Sequence, residues 1–435
     1  MLKVLFGEKG TNCAGVTRRS ALQVGGLGFG GLTLSNLMSA RAARAAGGAD
    51  PSRDTSVVWL WLNGGPTHIE TFDPKMTAPV EYRSVSGEVK TRIPGVTLGG
   101  HFERMAGMAD RMTFVRSFEV PTSSHNRGAF WVNTGYKQGS HRPSLGSITS
   151  RVRGANHPVS GMPTYLQMGQ IGFNTDAPII PGPAWLGKAY GPFTPSGPSR
   201  ENMNLTTEVS RLEDRRSLLK GLDKLQRDVD ASGVMDGIDG MNHQAFSLIL
   251  GKATRAFDLK REDPKIVDLY GGGLGQSMLT ARRLCEVGCG FVAVSLQGWD
   301  MHGNVKRSMD SRGPEVDRAV SAFLSDIHQR GLDKNILLVI SGEFGRTPRI
   351  NKNAGRDHWG PLSTLALAGG GLNMGQVIGK SSPKAEVPAA GKVGPQQLMA
   401  TVFHVLGIER ETSFEDPAGR PIPMLGTGQP IPGLI

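Results

Sequence analysis

The chain has 435 residues, with 49 Lys and Arg against 38 Asp and Glu and a formal charge of +11. Residues 1–45 hold six of those bases and one of the acids, so the remainder carries only +6, its Lys and Arg interspersed with acids. A nucleic-acid binder would gather its bases into a stripe or tail, so nucleic acid is not an expected partner.

In chain order, the first feature is Thr17-Arg18-Arg19-Ser20, followed by a weakly apolar run from Ala21 to Met38. That pattern reads as a twin-arginine export signal, with small-x-small cleavage sites in Ser39 to Ala46. The run carries five glycines plus Ser35 and Asn36. Crossing a bilayer takes roughly 20 solidly apolar residues, so no stable membrane span is expected once the signal is cut. The expected organisation is a signal over residues 1–46 and one domain over 47–435, periplasmic or secreted. Cys13 falls in the signal, leaving Cys285 and Cys289, for which burial or an incidental disulfide is expected.

Apolar β-type runs follow at Val57–Leu62, Met112–Val115, Phe291–Leu296, Ile336–Ile340 and Thr364–Ala368. Between the third and fourth lies Gly313–Gly331, where Val316, Val320, Phe323, Leu324 and Ile327 recur at helical spacing. Strand, helix, strand in that order predicts an α/β domain with a mostly parallel central sheet flanked by helices. Residues 199–230, rich in charge and spaced Leu, read as a helical insertion.

Ligand-binding loops leave the carboxyl ends of strands in such a sheet. Here the first strand is followed by Asn63-Gly64-Gly65-Pro66-Thr67-His68-Ile69-Glu70, and Phe291–Leu296 by Gln297-Gly298-Trp299-Asp300-Met301-His302-Gly303. Ile336–Ile340 leads into Ser341-Gly342-Glu343-Phe344-Gly345-Arg346-Thr347, then Gly355-Arg356-Asp357-His358-Trp359. Carboxylates, imidazoles and glycines are thus expected at one end of the sheet. Mixed N and O donors suit zinc, manganese or iron, zinc and manganese being the first candidates and calcium a further one. Arg127, Arg346 and Arg356 are candidates to clamp a phosphoryl or sulfuryl group, or to pair with neighbouring acids.

The order Asp300, His302, Glu343, His358 resembles the alkaline phosphatase superfamily, which includes the sulfatases. The first strand there ends in a metal-binding Asp; Asn63 stands at that place. Pro121 to Gly135 resembles the superfamily's nucleophile helix, but His125 stands where Ser, Thr or modified Cys is usual. More closely, Gly64-Gly65-Pro66-Thr67-His68, Gly298-Trp299-Asp300-Met301-His302-Gly303, Gly342-Glu343-Phe344-Gly345-Arg346-Thr347-Pro348 and Gly355-Arg356-Asp357-His358-Trp359 resemble a bacterial family of twin-arginine-exported proteins, the domain-of-unknown-function family fifteen-oh-one. The resemblance implies a sulfatase-like fold and places Asn63, His68, Asp300, His302, Glu343 and His358 as metal-site candidates. His125 is then a ligand or general acid/base ahead of a covalent nucleophile, or else a helix N-terminal histidine held by Ser123 or Ser124, and Ser124 is a further nucleophile candidate. The expected activity is metal-dependent hydrolysis of phosphate or sulfate esters, on an anionic ester or a sulfated or phosphorylated glycan. The alternative is a metal-stabilised binding protein for envelope glycans or protein partners that has lost turnover.

Overall fold

The computed structural model describes residues 55–171, 182–195 and 252–435. The export signal and the helical insertion expected at 199–230 lie outside the described residues.

Seven strands build the central sheet: β1 (Ser56–Leu62), β2 (Met112–Val115), β3 (Tyr165–Met168), β4 (Phe291–Leu296), β5 (Ile336–Ser341), β6 (Leu365–Gly369) and β7 (Gln376–Ile378). Their order across the sheet is β7-β2-β6-β5-β1-β4-β3. β1 runs parallel to both β4 and β5, β3 runs parallel to β4, and β7 runs parallel to β2. Only β6 is reversed, antiparallel to β5 and β2. A parallel neighbour needs a crossover, usually a helix. The 342–364 connection from β5 to β6 contains no helix, so the chain turns back on itself.

The principal helices are α1 (His125–Thr134), α2 (Leu145–Arg153), α3 (Leu274–Glu286), α4 (Val305–Gln329) and α5 (Pro395–Leu406). Every residue of β1 is buried, as a strand covered on both faces must be. Its alternation sorts the core into two layers. Val58, Leu60 and Leu62 join Met278 of α3 and Val316 and Phe323 of α4. Val57, Trp59 and Trp61 join Val132 of α1, Ile148 of α2 and Leu398 of α5.

The predicted helix at Gly313 begins earlier, at Val305, and Pro314 lies inside it. Proline favours a first helical turn, which is why the pattern suggested a start there. The actual start is set by Asn304, whose side chain accepts from the Arg307 N–H, and Val305 and Met309 extend the buried stripe upstream of Gly313. Cys285 and Cys289 are buried free thiols, and burial pushes the Cys285 thiol up to about 12. Among the described residues no helix is long and apolar enough to cross a membrane.

Candidate functional site

β5, β1 and β4 are adjacent, and their carboxyl ends release the loops carrying Glu343, Asn63 and Asp300. β2 points the same way and leads to His125 at the start of α1. Because β6 is reversed, the segment entering it, with His358, arrives at this same end. Within the 342–364 connection a short antiparallel ladder sets Arg346 opposite His358.

Two glycines let these loops close on one another. Gly64 has φ +119°, and a Cβ there would sit 2.3 Å from the Asp300 nitrogen. A Cβ on Gly128 would come within 2.4 Å of the Glu343 carbonyl, so only glycine allows α1 to rest against the Glu343 backbone.

The result is a knot of imidazoles around one carboxylate. Donor atoms of His125, Asp300 and His358 all lie within 4.8 Å of one another. His302 Nε2 is 3.0 Å from Asp300 Oδ1 and 2.9 Å from His358 Nε2. His358 Nε2 is 3.2 Å, and His125 Nε2 3.5 Å, from the same Asp300 oxygen. A tetrahedral ion with bonds of about 2.0–2.1 Å has donor–donor edges near 3.3 Å; the 3.2 and 3.5 Å separations of His358 and His125 from Asp300 fit a zinc-like ion held by those three, with His302 beside Asp300 and His358. Phe344 packs against His125 and His358, with centroids 4.8 and 4.7 Å away.

The electrostatics follow from this crowding. Burial works against the Asp300 charge, but hydrogen bonds from His125, His358 and Arg346 hold its carboxyl far below the usual range. Burial likewise opposes a charged His125, yet its bonds to Asp300 and Glu343 prevail and raise its pKa.

Other expected residues take different places. Glu343 is fully buried; its Oε1 accepts from the Gly64 N–H at 2.9 Å and faces His125 Nδ1 at 2.7 Å. Asn63 accepts from Trp61 Nε1 at 3.1 Å and donates to Gln297 Oε1 at 2.5 Å, which ties the ends of β1 and β4. His68 is buried with Nε2 3.0 Å from the Ala385 carbonyl, in a cavity lined by Phe72, Asp73, Arg116 and Ser363, and it does not join the imidazole knot. Burial, partly offset by the Ala385 carbonyl, lowers its pKa to about 4.

Of the three arginines, two are structural ties. Arg346 is buried, donates to the Gly64, Gly65 and Arg356 carbonyls and pairs with Asp300. Arg356 is buried against Glu70 at 2.9 Å and donates to the carbonyls of Arg83, Thr347 and Pro348. Glu70 completes its shell with Ser84 Oγ at 2.6 Å and the N–H groups of Val85 and Ser86. Arg127 alone is exposed, in the first turn of α1, beside exposed Ser124, which caps that helix without a side-chain bond.

Asp357 and Ser123 were not singled out as site residues by sequence. His302 Nδ1 lies 2.7 Å from Asp357 Oδ1, and His358 Nδ1 lies 3.0 Å from the Ser123 carbonyl. The only signal for Asp357 was its place beside His358; a backbone carbonyl leaves none.

No curated protein matches this chain in sequence. Among solved structures it is similar to the PsFucS1 sulfatase from Pseudoalteromonas sp., at 12% identity over 86% of this chain and 71% of that one, with a TM-score of 0.38. It is also similar to the lipoteichoic acid synthase LtaP from Listeria monocytogenes, at 10% identity over 85% and 78% with a TM-score of 0.33. A third likeness is to the phosphonate monoester hydrolase SpPMH from Silicibacter pomeroyi, at 10% identity over 82% and 74% with a TM-score of 0.33. A family model matches residues 54–435, and the chain belongs to that family, described as "Protein of unknown function (DUF1501)".

Proposed function

We propose that this protein is a metal-dependent hydrolase of phosphate or sulfate esters, exported by the twin-arginine route and acting in the periplasm or outside the cell on an anionic ester such as a sulfated or phosphorylated glycan. The observation that carries the reading is the convergence of His125, His302 and His358 on Asp300 at the carboxyl end of the sheet. Side-chain exposures of 45% for His302 and 31% for Asp300 leave that knot open to a ligand from solvent. Gathering so many titratable groups in one place is costly for a scaffold and ordinary for a site of chemistry.

The residues that would hold the ion are His125, Asp300, His302 and His358, with zinc or manganese favoured by the nitrogen-rich set. A bound divalent ion would supply Lewis acidity toward an ester oxygen. Asp300 holds the imidazoles in place through their Nε2 atoms, and Arg346 braces Asp300 from behind. Arg127 would bind the anionic head of the substrate, since it stands exposed at the amino end of α1, where unpaired N–H groups favour negative charge. Ser124, beside it, would orient an ester oxygen. Asn63 and His125 at places where the superfamily normally has Asp and a nucleophile favour the alternative reading, a metal-stabilised binding protein without turnover.

Elemental mass spectrometry on purified protein tests the site. Near-stoichiometric metal, lost in Asp300→Ala, His302→Ala and His358→Ala variants that remain folded, is the expected result. Turnover of phosphate or sulfate esters abolished by His302→Ala would establish the hydrolase. Protein that takes up none of zinc, manganese, iron or calcium sinks the reading, and loaded protein with no turnover but tight glycan or protein binding selects the alternative.

A further inference from the structure

We infer that Glu343 and Asp357 are positioning residues which accept the Nδ1 protons of His125 and His302 and so turn Nε2 of each ring toward an ion, and that Glu343 is not itself a ligand. This rests on the metal-site reading above and reverses the ligand role expected for Glu343.

The argument begins with what can donate. A carboxylate and a carbonyl only accept, so a ring nitrogen that faces one at hydrogen-bond distance has to carry the proton. His125 Nδ1 faces Glu343 Oε1 at 2.7 Å, His302 Nδ1 faces Asp357 Oδ1 at 2.7 Å, and His358 Nδ1 faces the Ser123 carbonyl at 3.0 Å. All three outward nitrogens therefore donate. All three Nε2 atoms lie within 3.5 Å of the one Asp300 oxygen, which accepts from them until an ion takes the place of their protons; the outward acceptors keep Nδ1–H, so Nε2 is the nitrogen each ring can offer that ion. Three outward acceptors from three separate segments would not produce the same ring orientation by packing alone. Histidine ligands are held by outer partners of this kind, which fix the tautomer and strengthen the inward nitrogen.

Glu343 is committed by its own surroundings. Its Oε1 is shared between the Gly64 N–H and His125, and the side chain is only 1% exposed. It meets His125 through Nδ1, whereas the Asp300 oxygen faces Nε2 of that ring. Its Oε2 has no partner among the described residues. That orphan oxygen is the reason the two roles have to be separated by experiment.

The test uses the full chain, zinc as the probe for affinity through competition with a chromophoric chelator, and cobalt as the probe for the ligand set through its visible spectrum. Glu343→Gln and Asp357→Asn keep an accepting carbonyl for Nδ1–H, whereas Glu343→Leu and Asp357→Leu do not. The leucine variants are expected to weaken zinc binding by about 10- to 100-fold with unchanged stoichiometry and an unchanged cobalt spectrum. The Gln and Asn variants are expected to recover most of that loss. A Glu343→Gln protein that loses stoichiometric zinc, or whose cobalt spectrum moves, would show Glu343 to be a ligand and overturn the inference. So would Asp357→Leu, a change at an exposed position, if it left the affinity of wild type; this arm decides even where Glu343→Leu fails to fold. Wild-type protein that binds neither metal would instead overturn the metal-site reading itself.

Discussion

His68 offers a quantitative test of the packing around the site. It is buried, its Nε2 faces a carbonyl, and its Nδ1 has no partner among the described residues. The ring is therefore neutral, with the proton on Nε2, and charging it would place a second N–H where nothing accepts, near Arg356 and Lys75. Its pKa falls from 6.5 in the unfolded chain to about 4. Between those values the unfolded chain binds the proton and the native one does not, so this residue's contribution is intact above pH 6.5 and is lost as pH falls through 4. The loss amounts to about 2 kcal/mol at pH 5 and about 3 kcal/mol once both states are protonated. His68→Gln keeps a donor for the Ala385 carbonyl and removes the titration. Urea unfolding of both proteins at pH 7.5 and pH 5 should show wild type losing about 2 kcal/mol more than the variant. His125, with its raised pKa, titrates in the opposite sense, but it is common to both proteins and drops out. A gap between the two that is the same at both pH values would refute the argument.

Three further outcomes are expected. Glu70→Gln leaves the Arg356 charge buried without its counter-ion and should cost about 3–5 kcal/mol in urea or thermal unfolding. Gly128→Ala drives a Cβ to within 2.4 Å of the Glu343 carbonyl; overpacking of roughly 1–3 kcal/mol should appear in unfolding, with weaker zinc uptake as Glu343 shifts against His125. Zinc at 100 times its dissociation constant should stabilise the folded chain by about 2.7 kcal/mol, read as a rise in melting temperature, and Asp300→Ala should show none of it.

Much of this protein could be read along the chain. Buried parallel strands are continuous apolar runs, so five of the seven strands stood out to within a residue or so. The missed pair, β3 and β7, are short edge strands, β3 buried only at Tyr165 and Leu166 and β7 of intermediate exposure throughout, and a half-covered edge carries no such run. The loops after β1, β4 and β5 could be placed at one end because all parallel strands finish there, and that rule together with the family resemblance joined Asp300, His302, Glu343 and His358 in expectation. The amino end of α4 was hidden because a proline inside a helix looks, in sequence, like a proline starting one.

What only the tertiary structure decided is which atom of each side chain faces which partner. Residue type made His125 and Glu343 candidate ligands or bases, but orientation depends on neighbours far away in sequence. Glu343 meets the Gly64 N–H and His125, Arg356 is claimed by Glu70, and His68 is turned toward Ala385. A motif records which groups arrive at the end of a strand. The hydrogen-bond demands of buried groups determine what each does there, and those demands are met by residues the motif does not contain.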